Sequence, residues 1–92
     1  MGKRFIFFYF MKKEPEKIRG AVPLHIEYWH ELKLNKYLGG PFADRSGGMI
    51  AFEAGSIEEA NKITNSDPFV IQDLIESKWI KEWVVKEPEE RT

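Results

Sequence analysis

The feature that most constrains the fold is an apolar run over residues 3–11, in which both alternating sets of side chains are large and apolar. Successive side chains of a strand point to opposite faces, so this strand is expected in the centre of a sheet that is covered on both sides. One set is Phe5, Phe7, Tyr9 and Met11, and the other is Ile6, Phe8 and Phe10. A signal peptide is a poorer interpretation, because the run is short and aromatic, and Lys12-Lys13-Glu14 stands where small cleavage-site residues would be needed.

Composition limits the function further. The chain has 92 residues, enough for one small domain over 1–92, and its 14 basic and 15 acidic residues give a net charge of −1. This balance gives no reason to expect nucleic acid or a membrane as a partner. The absence of cysteine excludes disulfides, a thiolate nucleophile and cysteine-based metal sites, so we expect a cytoplasmic protein.

The remaining pattern predicts three further strands and two helices. Gly20 and Pro23 predict a first helix from about Val22 to Lys36, since proline is tolerated in a first helical turn. Ser56 and Glu59 form a capping box that begins a second helix. The other predicted elements are a short strand over 37–42, a hairpin loop over 43–48, a strand over 49–54, a helical turn after Pro68, a strand from about Glu76 to Val85, and a solvated tail over 86–92.

This order predicts the α+β class, as a ferredoxin-like βαββαβ domain. Right-handed crossovers place both helices on one face of a four-stranded antiparallel sheet, with the first and third strands in its centre. The opposite face then carries large side chains without a cover. Such a patch is typical of an interface, so we expect a homodimer formed by sheet-to-sheet packing.

His25 is the most informative candidate for function. Helical spacing places an apolar arc on the first helix, and His25 lies near its centre, where a buried imidazole requires a polar partner. The arc comprises Val22, His25, Ile26, Tyr28, Trp29 and Leu32. Asp67, at the boundary before Pro68, is the expected partner, and the pair would transfer protons as a general base and its orienting carboxylate. The alternative is a satisfied core histidine, with Asp67 serving only as a cap of the turn.

Several motifs in this order resemble the YciI-like, or YCII-related, family. They are Pro23-Leu24-His25, Gly39-Gly40-Pro41-Phe42-Ala43-Asp44, Gly47-Gly48-Met49-Ile50-Ala51-Phe52-Glu53-Ala54 and Ser66-Asp67-Pro68-Phe69-Val70. The resemblance implies a dimeric α+β barrel, related to muconolactone isomerases and small cofactor-poor monooxygenases, with His25 and Asp67 as a pair in a pocket. The family includes a dehydrochlorinase that acts on a chlorinated hydroxyquinol. Relatives often have Arg where this chain has Val22. If that Arg binds an anionic substrate group, this protein either uses Arg19 or Arg45 instead or takes a different ligand.

Other candidates are less specific. Asp44, Arg45 and Ser46 at the hairpin tip could line a pocket mouth formed with a partner subunit, although charged loop residues are usually just solvated. The pairs Gly39-Gly40 and Gly47-Gly48 could let backbone amides approach an anion, with Gly40 as the named candidate, although such pairs more often serve turns and strand ends. Tyr9 or Tyr28 could donate to a substrate oxygen, although a buried tyrosine is more often a packing residue. Trp29 and Trp83 are expected in the core or the dimer interface. No metal site is expected, because His25 and His30 lie on different sides of the helix. No cofactor is expected, because the sequence has no Gly-rich phosphate loop and no dinucleotide-binding motif.

Two classes of function therefore compete. The first is a small cofactor-independent enzyme of the lyase or isomerase type, in which His25 and Asp67 transfer a proton on a small cyclic or enol-type substrate. The second is a module on the same scaffold that binds a small ligand or assembles without turnover. A Ser-His-Asp hydrolase is poorly supported, because no serine, threonine or cysteine is marked out as a nucleophile.

Overall fold

The computed structural model describes residues 2–86 and 88, and they form one antiparallel sheet with helices on one side. The strands run in the order β2-β3-β1-β4, so the first and third strands are central, as predicted. The elements are β1 (Lys3–Met11), α1 (Pro15–Leu32), β2 (Leu38–Pro41), β3 (Gly47–Ala54), α2 (Ile57–Asn65), α3 (Pro68–Ile71) and β4 (Ile75–Glu82). The α+β, ferredoxin-like prediction is confirmed.

Strand β1 supplies the centre of the hydrophobic core. Phe5, Phe7 and Tyr9 are at most 4% exposed beneath the helices, and they pair with β3 on one side and β4 on the other. Phe52 and Ile50 on β3 join them, because each faces the same side of the sheet as its partner on β1. One face of the central strand is thus buried within the chain.

Helix α1 begins earlier than the sequence predicts. It starts at Pro15 and continues through Pro23 to Leu32, where Lys33 adopts the left-handed conformation that ends it. The prediction placed the start at Val22 because Gly20 and Pro23 were interpreted as the start signal, whereas Pro15 is the first-turn proline and Pro23 lies inside the helix. Ile26 was assigned to the inward arc, but it is 47% exposed. The buried residues of α1 are Ala21 and Trp29, so the buried face of the helix does not include Ile26.

The other boundaries differ by one to three residues. Strand β3 begins at Gly47 and β4 ends at Glu82, short of the predicted Val85. Ser56 accepts a hydrogen bond from the backbone N–H of Glu59, as a capping box requires, whereas the Glu59 carboxylate accepts from the N–H of Gly55. Most of the predicted solvated tail lies outside the described residues.

The sheet face away from the helices is apolar and open. Phe8 stacks on Trp79 with their ring centroids 5.2 Å apart, and Phe10 approaches the edge of the same indole. The large exposed side chains on this open face are Phe10, Leu38, Met49 and Trp79. Among the described residues, no helix is both long enough and apolar enough to span a membrane.

Candidate active site

A fully buried carboxylate, Asp67, is the centre of the candidate site. It lies between α2 and α3, and its Oδ1 accepts the backbone N–H of Phe69 at 2.8 Å, capping α3. Its Oδ1 also lies 2.9 Å from Nδ1 of His25, and its Oδ2 accepts the indole N–H of Trp29 at 2.8 Å. Asp67 therefore caps a helix and contacts a histidine at the same time.

Helix α1 brings both side-chain partners to Asp67. His25 and Trp29 are about one turn apart, so they lie on the same face of the helix. Trp29 is 1% exposed and packs against Phe7 and Phe52 in the core. Because a carboxylate can only accept hydrogen bonds, its three N–H partners hold it in one orientation.

The His25 ring is held between aromatic side chains. It stacks on Phe69 with a centroid distance of 4.0 Å and an interplanar angle of 9°, and the ring of Tyr9 meets it edge-on at 6.2 Å. Its side chain is 13% exposed. With Nδ1 directed to Asp67, the other ring nitrogen, Nε2, has no hydrogen-bond partner among the described residues. His25 is thus oriented at one nitrogen and available at the other.

Two tyrosines lie near this pair. Burial and the nearby Asp67 carboxylate both raise the pKa of Tyr9 far above its ordinary value, and they raise the pKa of Tyr37 as well. Burial also raises the pKa of Tyr28, but the Tyr28 hydroxyl donates to the backbone carbonyl of Ile63 and joins α1 to α2. Of the two tyrosines named from the sequence, Tyr9 is therefore beside the histidine with its hydroxyl uncommitted, and Tyr28 has a structural hydrogen bond.

The hairpin residues predicted from the sequence lie elsewhere. The Asp44 carboxylate accepts from the hydroxyl and the backbone N–H of Ser46, and these bonds lower the pKa of Asp44. Asp44 and Ser46, together with Phe10 and Phe42, line a depression of about 500 Å³ at the hairpin. Arg45 is exposed and has a φ of 65°. The structure does not bring this group together with His25.

Further candidates are also separated from the pair. Gly40 pairs with Met49 and lies on the open-face side of β2, and Arg19 forms an exposed ion pair with Glu16. A second depression, of about 390 Å³ beside β4, is lined in part by Val70 and Trp79. Within residues 2–86 and 88, no group of three metal-ligating side chains is present.

Sequence reasoning missed two residues of the site. Trp29 was assigned to the core or dimer interface, and it is in the core, but its indole N–H is also a donor to Asp67. Tyr37 was interpreted only as a strand residue. The sequence did contain a signal for Trp29. A buried indole N–H needs an acceptor, and Trp29 lies one helical turn after His25 on the same face of the helix.

A four-stranded antiparallel sheet in the ferredoxin-like order, with its helices on one face, defines the class of small α+β protein to which this chain belongs. The family can be stated from the sequence match: the model of the YCII-related domain matches residues 4–84, and the chain belongs to that family. The resemblance noted from the motifs is confirmed.

Individual relatives extend this assignment. The uncharacterised protein YjpA of Bacillus subtilis (strain 168) is 42% identical over 64 residues, which are 67% of this chain and 74% of YjpA. The fold is similar to that of TftG, the 5-chloro-2-hydroxyhydroquinone dehydrochlorinase of Burkholderia phenoliruptrix AC1100, solved with 2,5-dihydroxybenzoquinone; the TM-score is 0.75 at 23% identity, over 88% of this chain and 93% of TftG. PA3566 of Pseudomonas aeruginosa matches with a TM-score of 0.61 at 10% identity, over 94% and 95% of the two chains.

Proposed function

We propose that this protein is a small cytoplasmic enzyme in which His25 and Asp67 transfer a proton to or from a small cyclic or enol-type molecule, without a cofactor. The observation that carries this proposal is the geometry of His25, whose Nδ1 lies 2.9 Å from buried Asp67 while Nε2 has no partner among the described residues.

The proposed chemistry follows from the tautomer that Asp67 favours. A carboxylate at Nδ1 favours the ring with its proton on that nitrogen, which leaves the Nε2 lone pair free to accept a proton. When Nε2 takes a proton, the buried carboxylate stabilises the imidazolium that forms. Elimination and isomerisation need little more than such a placed base, since the same group can return the proton at another atom or after a leaving group departs.

The proposed substrate class has support from a protein of similar fold. TftG is named as a dehydrochlorinase, and its structure holds 2,5-dihydroxybenzoquinone, a small cyclic molecule with enol-type oxygens. We extend this class of ligand to the present chain as part of the proposal. The aromatic surfaces of Phe69 and Tyr9 beside His25 suit a planar ring.

The proposal includes a homodimer formed by the open sheet face. Phe10, Met49 and Trp79 are each between 38% and 45% exposed on the open sheet face. A second copy of the same face would remove this surface from water. Because Asp44, Arg45 and Ser46 lie at the end of that face, their proposed contribution to a ligand site depends on the partner subunit.

A module that binds ligand or assembles without turnover remains the second candidate function. It is favoured by one observation: the two depressions lined by Phe10 with Asp44 and by Val70 with Trp79 do not include His25 or Asp67. In such a protein, the His–Asp pair would serve stability and the sheet face would serve association.

Chloride release from 5-chloro-2-hydroxyhydroquinone tests the first proposal. The wild type is compared with His25→Gln, and His30→Gln on the exposed side of the same helix is the matched control. We expect His25→Gln to lose about 100-fold or more of the turnover, with binding of 2,5-dihydroxybenzoquinone retained. Turnover that survives in His25→Gln would refute the catalytic role, and binding without turnover in the wild type would favour the second candidate.

A further inference from the structure

Tyr9 combines deep burial with an uncommitted hydroxyl. The residue is 4% exposed, and its hydroxyl has no hydrogen-bond partner among the described residues. In the same part of the chain, no buried side-chain oxygen or nitrogen lacks a partner. The small exposed fraction of Tyr9 must therefore include its hydroxyl oxygen, which opens toward solvent from an otherwise buried ring.

Two glycines, Gly48 and Gly39, leave space for the hydroxyl groups of Tyr9 and Tyr37 on the sheet face that the helices cover. A Cβ on Gly48 would lie 2.7 Å from the Tyr9 hydroxyl, and a Cβ on Gly39 would lie 2.9 Å from the Tyr37 hydroxyl. Both glycines face the helices, because Gly48 pairs with Tyr9, and Gly39 pairs with buried Ile50. The two tyrosine hydroxyls therefore lie over bare backbone at the β2 edge of the sheet.

Both phenols remain neutral donors over the physiological range. Burial raises the pKa of Tyr9, and the Asp67 carboxylate raises it further. Tyr37 is shifted in the same direction by the same two causes. A neutral hydroxyl can donate a hydrogen bond to an anion, and it does so more strongly than to a neutral oxygen.

We propose that the hydroxyls of Tyr9 and Tyr37, over Gly48 and Gly39, form an oxyanion subsite that completes the His25 site. This inference rests on the proposed function and names its substrate class: a carbonyl compound with an acidic C–H next to the carbonyl. His25 Nε2 takes the proton from carbon, the C–H electron pair forms the C=C bond, and the carbonyl π electrons move to oxygen. The resulting enolate oxygen accepts hydrogen bonds from the tyrosines, which are strongest when the charge is fully developed.

The test uses 4-nitrophenol as a probe, at a pH where it is ionised, with 4-nitroanisole as a neutral analogue of the same ring. Affinities are measured by calorimetry for the full chain and for Tyr9→Phe, Tyr37→Phe and Gly48→Ala. Tyr28→Phe is the matched control, because its hydroxyl is occupied by Ile63, and Gly20→Ala is a glycine control, with nothing within 4 Å of the added carbon. Circular dichroism establishes that each variant is folded.

We expect Tyr9→Phe to bind 4-nitrophenolate about tenfold or more weakly, with 4-nitroanisole unaffected. Tyr37→Phe and Gly48→Ala should weaken the phenolate in the same way, and both controls should bind as the wild type does. No binding by the wild type, equal binding by Tyr9→Phe, or an equal loss for 4-nitroanisole would overturn the subsite. His25→Gln should retain phenolate affinity while losing turnover, so failure of the subsite and failure of the dyad give different results.

Discussion

The indole N–H of Trp29 donates to Oδ2 of Asp67 at 2.8 Å, on the carboxylate oxygen that His25 does not use. His25 and Trp29, both on α1, therefore contact different oxygens of the carboxylate, and the backbone N–H of Phe69 also donates to Oδ1. This arrangement fixes the plane of the carboxylate and, through it, the His25 ring. Trp29 is thus part of the support for the candidate site and also part of the core.

The first prediction concerns Asp67→Asn. Its amide keeps one acceptor oxygen for His25 and Phe69 but turns an NH₂ group toward the Trp29 N–H, where two donors then face each other. We expect a loss of about 3 kcal/mol in the free energy of unfolding, measured with urea. In a double-mutant cycle, adding Trp29→Phe should cost less than it does in the wild type, because the opposing donor is removed. Strict additivity would contradict the shared contact.

The second prediction concerns alkaline pH and Tyr9. Its pKa is raised in the folded state, so the unfolded chain loses the phenol proton first as pH rises. The stability that Tyr9 contributes through its neutral form is fully present below about pH 10 and decreases above it. Urea unfolding should show a steeper loss above that pH for the wild type than for Tyr9→Phe. Identical pH dependence in both proteins would show that Tyr9 is not protected from ionisation.

Much of this architecture could be predicted from sequence, for identifiable reasons. The doubly apolar β1 and the Ser56 cap are local patterns, and they predicted a central strand and a helix start correctly. The start of α1 was missed because Glu14, at its N-cap, makes no side-chain capping bond, so no local signal distinguishes Pro15 from Pro23. A helix start without a capping side chain is only weakly marked in sequence.

The candidate site also has a part that could be predicted from the sequence and a part that could not. His25 stood out because an imidazole interrupts an apolar arc, and its contact with Asp67 follows from burial and the need for a partner. The Tyr9 hydroxyl above Gly48 could not be predicted, because it depends on the register between β1 and β3. Register across a sheet is set by the whole strand pair and by hairpin geometry rather than by either residue.

The third prediction concerns the open sheet face. Trp79→Glu should convert a dimer to a monomer, because the charge lies beside Phe8 on the surface that would be buried. The matched control is Leu24→Lys, a change of similar polarity at a residue that is 52% exposed on α1. Light scattering at micromolar concentration should give a dimer for the wild type and the control. A monomeric wild type would contradict sheet-to-sheet association.

The fourth prediction concerns Gly47, which controls the position of Tyr9 through the backbone. A Cβ at Gly47 would lie 1.8 Å from the carbonyl oxygen of Tyr9, so Gly47→Ala must separate β1 from the hairpin. We expect a loss of more than about 3 kcal/mol in stability, measured by urea unfolding. Gly20→Ala, in the open part of α1, should instead stabilise the protein by about 0.5 to 1 kcal/mol. Wild-type stability in Gly47→Ala would be incompatible with this strand pairing.

The central claim is that Asp67 holds the His25 proton on Nδ1 and leaves Nε2 as the proton acceptor. It is tested most directly by ¹⁵N NMR of the imidazole nitrogens at about pH 9, where histidine is ordinarily neutral. The predicted spectrum has a protonated Nδ1 and an Nε2 with the shift of a free lone pair, and Asp67→Ala, which removes the acceptor, should shift the tautomer populations toward those of exposed His30. A His25 ring protonated at Nε2 in the wild type would contradict the account.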